Sequence, residues 1–115
     1  NKTFFYTVGL VERHLPELFL GINCRPEVGM GVIDNVIKYM TGHGIKYERN
    51  DGMDVQLMPC SPDSAIKNHM IQLGEYYGRK DMAVAQIMMP DVDGKLPGDN
   101  GYSMPQVMLE PIIIN

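Results

Sequence analysis

Two stretches near the start of the chain alternate between faces in the way that β-strands do. The stretch TFFYTVGL, residues 3–10, places every second side chain on one face, and ELFLGIN, residues 17–23, repeats this alternation. Most residues of the stretch VERHLP between them are polar or turn-forming. We therefore expect two antiparallel strands joined as a hairpin.

The next stretch has the period of a helix instead. Pro26 suits the first position of a helix, and Gly42 or Gly44 suits the position just beyond its end. Gly29 and Gly31 lie inside this helix, where each costs about 1 kcal/mol relative to Ala, so we expect another part of the backbone to approach closely there. The apolar residues of the expected helix form a stripe: Val28, Val32, Ile33, Val36, Ile37 and Met40.

A second strand-rich unit follows this helix. The stretch GIKYERNDGMDVQLMP, residues 44–59, holds two short extended segments around the polar turn Asn50-Asp51-Gly52, which predicts a second hairpin. Ser61 suits the cap of a second helix and Pro62 its first position. We expect this helix to end near Gly78.

The two units have the same order, and each helix is preceded by Cys-x-Pro-acid. Residues 3–42 and 44–78 are thus candidates for a ββα repeat, although a Pro-acid pair at a helix start is common. MAVAQIMM, within residues 80–115, predicts a central strand buried on both faces. QVMLEPIII predicts a last edge strand, interrupted by Pro111.

These patterns predict one α+β domain over residues 1–115. Its sheet is expected to be mostly antiparallel, with about five or six strands and two helices in the order ββαββαβ, with or without a final strand. A chain of this length can bury about two-thirds of its unfolded surface around one core.

Charge and composition exclude several classes of protein. A net charge of -4 argues against a dedicated nucleic-acid binder, which carries a basic stripe to neutralise phosphates. No apolar run approaches the roughly 20 residues that cross a bilayer. With 2 Cys, the chain has no need of a disulfide scaffold, so we expect a reduced cytoplasmic protein. The sequence has no Gly-rich phosphate loop, and we expect no cofactor.

The loop after MAVAQIMM is rich in Asp and Gly, which raises the question of a metal site. An EF-hand counted from Asp91 fails at the fifth, sixth and twelfth positions, where Lys95, Leu96 and Tyr102 stand. Asp and Gly are also the residues that tight turns use. A weaker cation site using Asp91, Asp93 and Asp99 stays open, but we favour turns and expect no metal.

Cys24 and Cys60 each precede an expected helix, whose dipole lowers the pKa of a thiol. Nucleophilic catalysis also requires a His base within reach of the sulfur, and the sequence cannot show that proximity. A buried free Cys usually behaves as a small hydrophobe, which is the interpretation that we favour.

Several motifs taken together resemble one known family. FFYTVGL and LPELFLGI near the start, YYG at residues 76–78, and AQIMMPDVDGKLPGDNGY near the end follow, in order and spacing, the bacterial and phage family called domain of unknown function four-two-six-two. The residues that match its pattern are Tyr6, Thr7, Gly9, Leu10, Pro16, Glu17, Leu18, Gln86, Pro90, Asp91, Gly94 and Pro97.

The chain departs from that family's pattern at two positions. Leu15 stands where the family has a His, with His14 displaced by one residue, and Gly98 stands where it has a Trp. If those residues form a pocket in the family, this member has altered it. The resemblance implies neither catalytic residues nor a substrate.

With no complete catalytic constellation, the sequence favours a small intracellular or phage-encoded binding module that engages a small polar ligand or a protein partner without turnover. Three alternatives stay open: a structural protein that forms a homo-oligomer or part of a virion, a thiol- or carboxylate-dependent hydrolase, and a phage protein that sequesters a host signalling nucleotide. The expected ligand-binding residues are Tyr6, Thr7, His14, Glu17, Asp91 and Tyr102.

Overall fold

A computed structural model describes residues 4–47, 55–78 and 82–112. These residues form an α+β domain in which helices cover both faces of one sheet. A short 3-10 helix, Leu10–Arg13, joins the first two strands. The strands are β1 (Phe5–Tyr6), β2 (Glu17–Leu20), β3 (Gln56–Cys60) and β4 (Val84–Met88), and the helices are α1 (Pro26–His43), α2 (Pro62–Asn68) and α3 (Ile71–Tyr77).

The described strands form a four-stranded sheet in the order β1-β2-β4-β3. The predicted hairpin is confirmed, since β1 pairs antiparallel with β2, but β4 pairs parallel with β2 and antiparallel with β3. Two of the three pairings are antiparallel, as expected, but the described residues form a mixed sheet of four strands rather than five or six. The last strand of the chain enters between two earlier ones, and every residue of β4 is buried, as predicted for a central strand.

Helix α1 confirms the first predicted helix and lies on one face of the sheet. Gly44 follows its end with φ 85°, and its N–H donates to the carbonyl of Met40 at 2.9 Å. A Cβ at Gly29 would lie 2.9 Å from the ring of Phe5, so here the expected close approach exists. It joins α1 to β1 through a side chain rather than through backbone.

The second predicted helix is divided into α2 and α3, which pack on the other face of the sheet. Ser61 caps it as expected, accepting from Ser64 N–H, but the N–H groups of His69 and Met70 both donate to the carbonyl of Ala65. The chain turns at this point and buries Met70 completely. The expected single helix was therefore wrong: it is interrupted at His69 and Met70, and α3 packs back on α2 with Gly74 against Ile66.

The predicted final strand is replaced by an extended segment, residues 106–112, which we call the strap. Within the described residues it makes one isolated bridge, between Pro111 and Cys60. Near its start, the Val107 N–H donates to the carbonyl of Gly21 at 2.8 Å. At its far end, the Ser61 N–H donates to the carbonyl of Glu110 at 2.8 Å. The strap thus crosses the sheet from the end of β2 to β3.

The second predicted hairpin and the ββα repeat cannot be compared in full with the structure. The turn Asn50-Asp51-Gly52 lies outside the described residues, as does the end of the predicted last strand. Residues 45–47, in the first arm of that hairpin, are in no strand. The repeat therefore stays a prediction.

Candidate functional site

The carboxylate of Glu17, at the start of β2, is completely buried and accepts four hydrogen bonds. Oε1 accepts from the Thr7 hydroxyl at 2.6 Å and from Leu10 N–H at 3.1 Å. Oε2 accepts from Gly9 N–H at 3.0 Å and from Val11 N–H at 3.1 Å. These bonds use about all the lone pairs of a carboxylate. Glu17 thus fixes the start of the 3-10 helix, and a ligand could bind it only by displacing one of these donors.

Thr7 also joins the first loop to β2, and we call the hydrogen bonds of Thr7 and Glu17 the latch. Its N–H donates to the carbonyl of Leu18 at 3.0 Å, and its hydroxyl oxygen accepts from Leu18 N–H at 2.8 Å while it donates to Glu17. His14 lies at the end of the same loop, exposed to solvent, in a left-handed conformation with φ 60°. The structure therefore brings Thr7 and Glu17 together and leaves His14 outside their hydrogen bonds.

Asp91 organises the loop that follows β4. Its Oδ1 accepts from the N–H groups of Asp93 and Lys95, both at 2.9 Å, and its Oδ2 accepts from Ser103 N–H at 3.0 Å and Ser103 Oγ at 3.2 Å. Burial raises the pKa of Asp91, but the hydrogen bonds from Lys95, Ser103 and Asp93 outweigh this and hold the pKa below its usual value. The aspartate is a loop anchor, in agreement with the predicted turns. No group of three or more His, Cys, Asp or Glu within the described residues is placed to hold a metal ion.

Tyr102 lies near Asp91 and belongs to the same loop. Its hydroxyl donates to the carbonyl of Met89 at 2.9 Å and accepts from the side-chain amide of Gln106. Burial raises the pKa of Tyr102, the hydrogen bond from Gln106 opposes the rise, and the charge of Asp91 adds to it. The phenol therefore stays protonated at neutral pH and closes the loop.

The carboxylates of Glu17 and Asp91, both among the expected ligand-binding residues, lie near opposite ends of the sheet. Glu17 is the register partner of Val84, the first residue of β4, whereas Asp91 follows the last residue of that strand, Met88. The strand alone spans about 13 Å at about 3.3 Å per residue. Glu17 and Asp91 therefore belong to separate networks.

Gln86 is a third buried polar residue, which sequence reasoning matched to a family pattern but did not include among the site residues. Its Nε2 donates to the carbonyl of Val107 at 2.8 Å, and its Oε1 accepts from Leu109 N–H at 2.8 Å. These two bonds replace the missing strand pairing and hold the strap over the middle of β4. Its signal in the sequence was a single amide within an otherwise apolar strand.

A concavity with a volume of about 540 Å³ lies between β1 and α1. Gly31 lies on its helical wall, and a Cβ built there would meet nothing within 4 Å. Met30 is 66% exposed at its edge. Because the groove is open and mostly apolar, it suits a ligand with apolar side chains. It is lined by Tyr6, Thr7, Met30, Gly31, Ile33, Asp34 and Ile37.

The backbone of β1 gives this groove a polar edge. Thr7 N–H bonds to its register neighbour Leu18, so Phe5, two residues earlier, also directs its backbone groups toward β2. By the same alternation, the N–H and C=O of Tyr6 point away from β2, and Tyr6 is one of the residues that line the groove. The Tyr6 side chain lies on the α3 face, where its hydroxyl donates to Gln72 Oε1 at 3.2 Å. Sequence reasoning identified Tyr6 as a site residue but did not predict that its backbone N–H and C=O would point away from β2. The sequence feature that indicates the groove is Gly31 within a helical pattern.

The two cysteines differ from a catalytic thiol in their environments. Cys60 is the last residue of β3 and is completely buried, and burial raises the pKa of its thiol to about 11, against a weaker opposing hydrogen bond from the Gln86 backbone. The expected lowering of its pKa by a helix dipole was therefore wrong. Cys24 is half-buried and packs against the core beneath α1. The environment of Cys60 does not favour a thiolate nucleophile.

Comparison with known proteins agrees with the resemblance carried by these motifs. A search of the curated proteins and a search of the solved structures each return no match. A family model matches residues 1–103, which include both latch residues, Gln86 and the Asp91 loop. The chain therefore belongs to the family described as Domain of unknown function (DUF4262).

Proposed function

We propose that this domain is a binding module that receives an extended segment of a partner protein in the groove between β1 and α1, without turnover. The observation that carries the proposal is the outward direction of the Tyr6 N–H and C=O beside an apolar groove. An added strand would hydrogen-bond to this backbone edge and place side chains in the groove, as in other proteins that bind peptides by extending a sheet.

The polar groups along the groove favour a peptide over a small polar ligand. The Thr7 hydroxyl is used by Glu17 and Leu18, and the Asp34 carboxylate lies 3.0 Å from the Lys38 ammonium group. A small polar molecule would find few convergent donors and acceptors on these side chains. The backbone of a peptide instead supplies a C=O and an N–H that can pair with the N–H and C=O of Tyr6.

The candidate catalytic groups support binding without turnover. Glu17 and Asp91 each accept four hydrogen bonds from their own surroundings. The thiol of Cys60 is buried and is neutral at pH 7, since its pKa is about 11. A hydrolase needs a nucleophile or a base that can reach its substrate.

A phage-displayed library of random peptides, selected on the immobilised domain, tests the proposal. The Gly31→Leu variant fills the groove from its helical wall, whereas Gly42→Leu makes the same change at another open position of α1 and serves as the matched control. We expect enriched peptides to bind the wild type and Gly42→Leu, but not Gly31→Leu. The proposal is overturned if no peptide is enriched or if enriched peptides bind Gly31→Leu equally well.

A further inference from the structure

We propose that the segment bound in this groove has apolar residues on both sides of the residue that pairs with Tyr6, and a basic residue that reaches Asp34. This inference rests on the proposed function and adds the chemistry of the partner. It follows from three features of the groove: the direction of the β1 side chains, the spacing of the apolar residues on α1, and the charge at its wall.

The two faces of β1 determine where a partner's side chains point. Phe5 faces α1, where its ring lies against Gly29, and Tyr6 faces α3, where its hydroxyl contacts Gln72. Cross-strand partners have their side chains on the same face of a sheet. The partner residue opposite Tyr6 therefore faces α3, and its two neighbours face α1 and the groove.

The groove side of α1 fits two such neighbours. Met30, Ile33 and Ile37 form a stripe about 10 Å long, at about 1.5 Å per residue. Alternate residues of a strand are about 6.7 Å apart, so two side chains fit along this stripe and a third lies beyond it. Gly31, beside Met30 and Asp34 on the helix surface, leaves open space where an apolar side chain can contact the helix backbone.

The charge at the groove favours a basic partner. Asp34 lines the wall, and its side chain is 60% exposed and pairs, among the described residues, with Lys38, one turn along the same helix. Such an exposed pair contributes little, so a cation of the partner can take its place or share the carboxylate. The net charge of -4 attracts basic segments over a longer range and speeds their association.

Three acetylated, amidated heptapeptides test this chemistry by isothermal titration. The first has Lys at both ends, Val at its third and fifth positions, Thr between them and Gly elsewhere. The second exchanges Thr with one Val, so that composition is kept and alternation is lost. The third replaces both Lys by Glu.

We expect the first peptide to bind the wild type about tenfold more tightly than either of the others, because each lacks either one buried apolar side chain or the attraction to Asp34. Asp34→Asn should reduce the preference for Lys over Glu and leave the preference for alternation intact. Gly31→Leu should abolish binding, and Gly42→Leu should preserve it.

Other outcomes separate this inference from the proposed function. If library peptides bind in a Gly31-dependent way but the first heptapeptide has no advantage, the groove binds peptides and the inferred chemistry is overturned. If light scattering instead shows a dimer that Gly31→Leu disperses and no peptide binds, the occupant is a second copy of this chain, which also overturns the inference. If neither peptides nor a second copy bind, both proposals fail.

Discussion

Thr7 connects the first loop to β2 through a single hydroxyl that both donates and accepts. Replacing it in Thr7→Val keeps the shape of the side chain, but it removes a donor to the buried Glu17 carboxylate and the acceptor of the Leu18 N–H. Leaving buried polar groups without partners costs about 1–3 kcal/mol. We expect a loss of this size in the free energy of unfolding, measured by urea denaturation.

The chain offers a matched control for this change. The Thr41 hydroxyl also bonds to a backbone group, since it donates to the carbonyl of Ile37. Thr41 is exposed on α1, so water can replace this hydroxyl. Thr41→Val should change the free energy of unfolding by no more than about 0.5 kcal/mol. Equal effects at the two positions would show that the Thr7–Glu17 contact contributes nothing special to the fold.

Asp91 makes stability depend on pH. Its pKa is lower in the folded protein than in the unfolded chain, because N–H groups of its loop donate to the ionised form. The unfolded chain therefore binds a proton more readily, and the stabilisation is complete above the unfolded pKa and lost as pH falls through the folded pKa. Asp91→Asn lacks this titration, so the difference in unfolding free energy between it and the wild type should narrow from pH 7 toward pH 3.

Hydrogen exchange locates this effect. The amides of Asp93, Lys95 and Ser103 donate to the Asp91 carboxylate and should lose protection in Asp91→Asn at neutral pH. Amides of α1, which has no hydrogen bond to this loop among the described contacts, should keep theirs. Uniform loss over both segments would contradict a local anchoring role.

Among the elements, α1 contains two glycines in opposite environments, which predicts opposite effects of the same substitution. Gly31→Ala adds a methyl group into open space and should stabilise the protein by about 0.5–1 kcal/mol, the helix penalty of glycine. Gly29→Ala places a Cβ 2.9 Å from the Phe5 ring, and overpacking costs about 1–3 kcal/mol. Thermal denaturation should therefore place Gly31→Ala above Gly29→Ala in Tm, and the reverse order would contradict the packing of β1 against α1.

The elements that could be predicted from the sequence are those that depend on local patterns rather than on tertiary contacts. The stripe on α1, its Pro26 start and the almost wholly apolar β4 have a period or composition that no distant contact changes. The division between α2 and α3 has a tertiary cause: Met70 is buried, and a Cβ at Gly74 would lie 2.5 Å from Ile66. The helical pattern of that stretch carries no sign of this contact.

At the scale of the molecule, the sequence identified residues of the two polar networks but not the candidate site. Thr7, Glu17 and Asp91 stood out as polar groups in ordered loops, and the structure uses them as internal donors and acceptors. The groove depends instead on which edge of β1 is open and on how α1 lies beside it. Both follow from the order β1-β2-β4-β3, which places β4 rather than another strand beside β2 and is not encoded in any local pattern.

One side chain, that of Gln86, attaches the strap to the middle of the sheet. A change at Gln86 should therefore release the strap while the rest of the domain stays folded. Gln86→Leu leaves the Val107 carbonyl and the Leu109 N–H without their partner, at about 1–3 kcal/mol for each group. The amides of residues 106–112 should then exchange much faster, as measured by hydrogen–deuterium exchange. Gln72→Leu is the control, since Gln72 is exposed and bonds to Tyr6 rather than to the strap.

The same variant examines whether the two faces of the sheet act independently. The strap packs through Val107 and Leu109 with the cluster around α2 and α3, whereas the proposed binding groove adjoins α1 on the other face. We therefore expect Gln86→Leu to loosen the strap and to bind the groove peptides as the wild type does. Unchanged exchange in the strap would refute the anchoring role of Gln86, and loss of peptide binding by a folded Gln86→Leu protein would show that β4 couples the two faces.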